Sequence, residues 1–332
     1  MVVPVVWSLA QQYPDVRITV LSRAFARPLF ENLAPNIGFM EADVKREYRG
    51  IKGLNRLYRR LTAKQFTAIA DLHNVLRSEF LRLRFNMGRY RVAHISKHRM
   101  GRHRLVKRNN KQLTQQPTSF ENYIQVFQRL GYTFTANFKS IFPLEGGNLT
   151  LLPPSLAFLS SDTAPLIGIA PFAAHKGKVY PPELMEQVIT MFTSQHPEVR
   201  ILLFGRGEQE EHWFTKWCEQ WKQCIFVNRN VESMYQELIL MSHLKVMLSM
   251  DSANMHLASL TGVPVVSVWG ATHPYAGFMG WGQSEANAIQ TELDCRPCSI
   301  FGQKACRRGD YACMHMIKPT TIVEKINSFF TN

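Results

Sequence analysis

No apolar run in this 332-residue chain approaches the ~20 residues needed to span a bilayer, so no segment of it reads as a transmembrane helix. The apolar opening, Met1 to Ala10, lacks the basic n-region of a secretory signal and runs straight into Gln11-Gln12-Tyr13-Pro14-Asp15. The expectation is a chain that stays in the cytoplasm. Acidic residues are also scarce: 25 Asp/Glu stand against 39 Lys/Arg, for a net charge of +14. The scarcity is local. Residues 77–111 hold 12 Lys/Arg and one Glu, and residues 45–64 hold eight and one. Such segments cannot neutralise themselves and imply a polyanionic partner: nucleic acid, anionic lipid or a phosphorylated glycolipid. Cysteine is sparse too, six in all. Four of the six are Cys295, Cys298, Cys306 and Cys313, spaced C-x2-C-x7-C-x6-C. In a cytoplasmic chain that spacing argues against disulfides and leaves a structural zinc knot or unliganded thiols packed in a loop.

What is present is an α/β rhythm. In the first half, helices are expected at 2–13, 26–33, 75–85 and 119–130, with strands at 16–22, 66–72 and 89–95. Residues 132–165 are rich in Pro, Gly, Ser and Thr and read as a linker. The second half is more regular. Apolar runs at 166–172, 200–204, 224–227, 244–249 and 265–269 read as buried strands, alternating with helices. That alternation predicts a doubly wound parallel sheet. The division expected is 1–150, 151–319 and a terminal helix at 320–332.

One stretch carries more chemistry than the rest: Ser249-Met-Asp-Ser-Ala-Asn-Met-His-Leu-Ala-Ser-Leu-Thr-Gly-Val-Pro-Val-Val-Ser-Val-Trp-Gly270. It reads as strand end, tight polar turn, short helix, strand. Asp251 and Ser252 suit a helix N-cap, and Gly262 with Pro264 suits its end. Such a turn aims free backbone N–H groups past the carboxyl edge of a parallel sheet, where diphosphates bind.

This run, with Gly270-Ala-Thr-His-Pro274 after it, resembles the Asp-Ser/Thr-x-x-x-His-Leu-Ala and Gly-x-Thr-x-Pro motifs of bacterial lipopolysaccharide heptosyltransferases, glycosyltransferase family nine. The resemblance implies two Rossmann-like doubly wound domains facing across a cleft, the GT-B architecture, with the terminal helix packed back on the first domain. It implies transfer of a heptose or related sugar from a nucleotide diphosphate donor, ADP-heptose above all, to a lipopolysaccharide core acceptor. The transfer would be inverting and would need no metal cofactor, leaving zinc a purely structural part. The enzyme would lie peripherally on the cytoplasmic face of the inner membrane, with no nucleic-acid partner. A non-catalytic sugar-nucleotide binder and a basic nucleic-acid-binding protein are the competing readings.

The resemblance also distributes roles. Asp251, Ser252, Ala253, Met255, His256 and Thr272 would line the donor site. Lys176-Gly-Lys178-Val-Tyr-Pro181 is similar to the family's Lys-x-Trp-Pro, which puts Lys178 on donor phosphate, with Lys176 as the alternative. Phe204-Gly-Arg-Gly207-Glu208 would place Gly205 and Glu208 near the nucleoside, with Glu210 or Glu211 as alternatives to Glu208. Asp71-Leu-His-Asn-Val-Leu-Arg77-Ser78 resembles the family's Asp-x-Gln-x-x-x-Arg/Lys-Ser run. It gives Asp71, Asn74 and Arg77, with Arg82 and Arg84 beyond, to the acceptor side. The family's general base sits on a Gly-Asp turn whose matching position would lie upstream of Met1. A start upstream of Met1 is therefore expected; otherwise Asp71 is the candidate base, although its strand-end position suits a structural role equally well.

Overall fold

The computed structural model describes residues 1–330 and divides into two compact units. The first comprises Met1–His98 and Pro117–Phe138, the second Arg99–Gln116 and Lys139 onward. The boundary expected at 150 is thus corrected to 138, and residues 99–116 leave the first unit for the second. None of the helices among the described residues is long and apolar enough to cross a membrane.

In the first unit, β1 (Ile18–Ser22) pairs in parallel with β2 (Ile37–Glu41), and β3 (Ala68–Asp71) with β4 (Arg91–His94). The expected single sheet is here two separate parallel pairs. Helix α1 (Val3–Gln12) buries Val3, Val5, Val6, Leu9 and Ala10. Helix α2 (Gly50–Thr62) was not expected from the sequence. It buries Gly53, Leu54, Leu57 and Leu61, while Lys52, Arg56, Arg59 and Arg60 stay exposed. Gly53 is required there, since a Cβ would lie 2.4 Å from the Tyr48 carbonyl carbon. Helix α3 (Leu76–Met87) sets Phe85 into the same cluster as Leu57, Leu61 and Tyr48. Helix α4 (Arg99–Leu105) belongs to the second unit, where Leu105 and Val106 pack on Ala276. Helix α5 (Ser119–Arg129) begins with a Thr118/Glu121 capping box and packs Val126 on Ala93 and Ile95.

The second unit holds a six-stranded parallel sheet of order β10-β9-β8-β5-β6-β7. Its strands are β5 (Leu166–Ala170), β6 (Arg200–Leu203), β7 (Cys224–Phe226), β8 (Leu244–Met250), β9 (Val265–Trp269) and β10 (Ala288–Gln290). All but β10 were expected. Strand side chains alternate between faces. Ile167, Ile169, Ile201, Leu203, Val246, Leu248, Val266 and Val268 share one core with α6 (Pro182–Gln195) and α7 (Glu208–Gln220). Gly168 faces the other way. A Cβ on it would lie 2.4 Å from the Met247 sulfur. After the short α8 (Val227–Asn230), α9 (Met234–Ser242) and α10 (Ala253–Leu260) pack against β8. The chain closes with α11 (Ala312–His315) and α12 (Pro319–Asn327). Ile322, Val323 and Ile326 of α12 enter the second unit's core beside α6. This corrects the expectation that the terminal helix belongs with the first unit.

Candidate anion-binding site

The second sheet reverses its winding between β5 and β8. From β5 the chain proceeds to β6 and β7 on one side. From β8 it proceeds to β9 and β10 on the other. The two loops leaving the carboxyl ends of adjacent strands must therefore part, and a crevice opens between them. Ala170 pairs with Ser249 at that edge.

Two charged side chains meet there. The loop after β5 turns through Lys176–Lys178, and the loop after β8 carries Asp251. Lys178 Nζ lies 3.0 Å from Asp251 Oδ2, with side-chain exposures of 16% and 6%. Such low exposure makes this a largely desolvated pair, held in place by the Asp251 N–H donating to the Val268 carbonyl at 3.1 Å. Of the two lysines the sequence leaves open, Lys178 is the one in the crevice. The Lys176 ammonium instead lies over the Tyr311 ring.

Ser252 is the N-cap of α10, in extended conformation, but its side chain caps nothing. Its Oγ sits 3.3 Å from Ser249 Oγ. The first-turn N–H groups of α10, Ala253 among them, keep no side-chain acceptor from their cap, which suits an anion. The Met255 side chain in the same turn is wholly buried.

The turn after β9 is laced to the Lys178 turn. The Ala271 N–H donates to the Gly177 carbonyl at 2.8 Å. Gly270 is needed for the approach, since its Cβ would fall 2.6 Å from that same oxygen. Thr272 is fully buried, and its Oγ1 has no protein partner. Arg296, which sequence reasoning missed, pins this turn. It is 5% exposed and donates to the carbonyls of Trp269, Gly270, Thr272 and Thr291 and to Gln290 Oε1. A single arginine inside a cysteine-rich loop carries no periodicity, so nothing in the sequence marks it. Gly205, at the end of β6, donates its N–H to Asn228 Oδ1 at 2.8 Å. Glu208 and its alternatives begin α7. Glu208 is exposed, whereas Glu211 is paired with Arg229.

His256 keeps Nδ1 buried and unpartnered. Burial pushes its pKa down to about 3, and the Lys178 charge adds to the effect. Burial likewise pushes His273 down to about 4, helped by Arg296 and Lys111. Both are neutral at pH 7. A consequence for stability follows. Between each depressed pKa and the ordinary 6.5, the unfolded chain binds protons that the folded one refuses, so stability falls as pH drops through that window. Thermal melts from pH 7 to pH 5 should show a falling midpoint, and His256→Gln should flatten the slope. An unchanged slope would contradict the burial argument.

In the first unit, Asp71, Asn74 and Arg82 come together. Asp71 Oδ1 accepts from the N–H groups of His73 and Asn74, both at 2.9 Å. Its Oδ2 lies 3.1 Å from Arg82 Nε, and Arg82 Nη2 donates to Asn74 Oδ1 at 3.0 Å. Asn74 adopts φ 47°, which Asn tolerates. Asp71 is therefore held by two backbone donors on Oδ1 and by an ion pair with Arg82 on Oδ2, the arrangement of a loop lock. Arg77 and Arg84 do not join. Arg77 is exposed, and Arg84 lies over the Tyr58 ring. Arg102 is also committed elsewhere, donating to the Ala276 carbonyl and lying over Phe278.

Cys295, Cys298, Cys306 and Cys313 line one small cavity with Arg296, Arg307 and Arg308. Burial raises the Cys298 thiol and lifts Cys313 to about 11, which favours protonated sulfur. Among the described residues no three His, Cys, Asp or Glu side chains converge as a metal centre would need. The four thiols grouped by the spacing thus share one cavity.

Two α/β units, the second with a parallel sheet whose winding reverses between adjacent strands, place the chain in the GT-B fold class. The chain belongs to glycosyltransferase family 9 (heptosyltransferase), whose sequence profile matches residues 54–307, and it is a glycosyltransferase. Among solved structures it is similar to Escherichia coli heptosyltransferase WaaC with ADP, at 16% identity and a TM-score of 0.67, covering 98% of this chain and 94% of that one. It is similar to a family 9 glycosyltransferase from Veillonella parvula, at 19% identity and 0.71, covering 99% and 92%. It is also similar to Escherichia coli ADP-heptose lps heptosyltransferase II, at 16% and 0.64, covering 98% and 93%. No curated protein sequence matches the chain.

Proposed function

We propose that this glycosyltransferase moves a heptose, or a closely related sugar, from ADP-heptose to a hydroxyl of lipopolysaccharide core, with inversion and without a metal cofactor. The observation that carries the reading is the Lys178–Asp251 pair beside the uncapped start of α10, at the switch point of the sheet. Family membership and the solved relatives named with ADP and with an ADP-heptose analogue support the donor. Departure of ADP leaves negative charge on the diphosphate. A lysine ammonium and helix N–H groups stabilise that charge without a divalent ion. Neutral His256 and the Thr272 hydroxyl supply hydrogen bonds to phosphate or sugar. A base takes the acceptor proton as the hydroxyl attacks the anomeric carbon. The first unit's basic surface suits a phosphorylated, membrane-held acceptor and a place on the cytoplasmic face of the inner membrane.

The test is ADP release from ADP-heptose with a heptose-deficient core acceptor. We expect release to depend on acceptor, to survive EDTA, and to give a product of inverted anomeric configuration by NMR. Retained configuration, or activity abolished by EDTA and restored by magnesium, would contradict the proposal.

A further inference from the structure

Helix α3 is apolar on two opposite faces, and only one of them is covered. At 100° per residue, Leu81, Phe85 and Ser78 point one way. Phe85 is 2% exposed against Tyr58, Tyr90 and the first unit's core. Leu76, Phe80, Leu83 and Met87 fall on the opposite side, within a stripe about 60° wide. Leu76 is 85% exposed, Leu83 59% and Met87 71%. Four apolar side chains at i, i+4, i+7 and i+11, three of them well exposed and Phe80 half-buried, are not the scattered single residues of an ordinary surface.

The surroundings of the stripe indicate what covers it. Arg77 and Arg84 run along one flank, and exposed Arg89 follows the helix end. Glu79 is the helix's one acid, and it sits 3.9 Å from Arg82. The neighbouring α2 adds Lys52, Arg56 and Arg59 as exposed cations. The whole first unit carries 18 Lys/Arg against 8 Asp/Glu. A second copy would bring the same arginines against these, which a twofold contact disfavours. Four side chains also fall well short of the ~800 Å² per partner of a specific protein interface. An anionic bilayer needs no such area. It accepts an apolar stripe at the headgroup boundary and attracts flanking cations by about 1 kcal/mol each.

We propose that the outer face of α3 lies in the surface of an anionic membrane, with Leu76, Phe80, Leu83 and Met87 in the acyl boundary and Arg77 and Arg89 among the phosphates. This rests in part on the reading of a membrane-held acceptor, but its test uses neither donor nor acceptor. The full chain is sedimented with phosphatidylcholine vesicles, with and without phosphatidylglycerol. Wild type should pellet only with the anionic vesicles. The triple variant Leu76→Ser/Leu83→Ser/Met87→Ser should lose binding by at least about tenfold with an unchanged melt, since its side chains are exposed. Arg77→Gln/Arg89→Gln should bind more weakly and with a shallower salt dependence. The proposal is overturned if wild type ignores anionic vesicles, if it binds neutral ones equally, or if the folded triple variant binds like wild type. It is also overturned if wild type is a dimer that the triple variant dissolves. Sugar transfer can fail while vesicle binding holds, and the reverse, so the two readings are separable.

Discussion

Lys178→Ala should lower kcat/KM for the sugar nucleotide by about 10²–10³-fold, the loss typical of removing one preorganised charge from a developing anion. Lys178 presents its ammonium at the carboxyl edge of β5, facing the loop that opens α10. Of its three donors one is engaged by Asp251, which leaves two for phosphate oxygens. The same substitution has a structural cost. Asp251 is 5% exposed, and without the ammonium its charge is left uncompensated. Breaking a buried pair from one side costs about 3–5 kcal/mol. A loss of activity by unfolding must therefore be told apart from a loss by chemistry. The double variant Lys178→Met/Asp251→Asn removes both charges and should recover most of the melting midpoint, yet transfer should stay low. ADP titration by calorimetry should show weaker binding in both variants. Normal turnover in Lys178→Ala, or recovery of turnover together with stability in the double variant, would remove Lys178 from the phosphate.

The second unit was legible because its strands are buried on both faces. Such strands read as unbroken apolar runs, Leu166-Ile-Gly-Ile-Ala170 and Val265-Val-Ser-Val-Trp269 among them, and all ten of those residues are buried. β10 escaped notice because of its three residues only Ile289 is buried. In the first unit, α2 was hidden by its own charge. The run of Lys and Arg drew attention as an anion surface, although Leu54, Leu57 and Leu61 keep a helical spacing inside it. β2, Ile-Gly-Phe-Met-Glu, offers no clean alternation, with Phe39 only partly buried. The passage of residues 99–116 into the second unit depends on distant contacts. The Gln116 N–H donates to the Tyr275 carbonyl, and Lys111 reaches the carbonyls of Asp294 and Arg296. No local pattern announces such contacts. The site divides the same way. Lys178 and Asp251 could be named from motif spacing, but that they pair is a fact of strand order, since β5 and β8 are neighbours only in space. The structural side of Asp71 was legible only as a strand-end position, because its ion-pair partner, Arg82, sits beyond the motif that drew notice to it.

Arg296→Met should cost the second unit about 3–5 kcal/mol, a figure set by the carbonyls it abandons more than by its own charge. The five hydrogen bonds of the guanidinium all go to neutral oxygens. The group is neutralised by dipoles, and burial lowers its pKa while five hydrogen bonds hold it charged. Methionine fills much of the volume and supplies none of the donors, so the oxygens of Trp269, Gly270, Thr272 and Thr291 are left buried with fewer partners. The melt of this unit should fall by about 10 °C. Lysine tests the geometry. It keeps the charge but offers three donors at one point where the turn requires a planar fork. Arg296→Lys should therefore recover little stability. Because the turn also carries Thr272, transfer by the folded fraction should fall mainly in kcat, as misplacement of a positioned hydroxyl would give. An Arg296→Lys protein within about 1 kcal/mol of wild type, with normal kcat, would mean that a buried charge alone suffices and that the fork sets nothing.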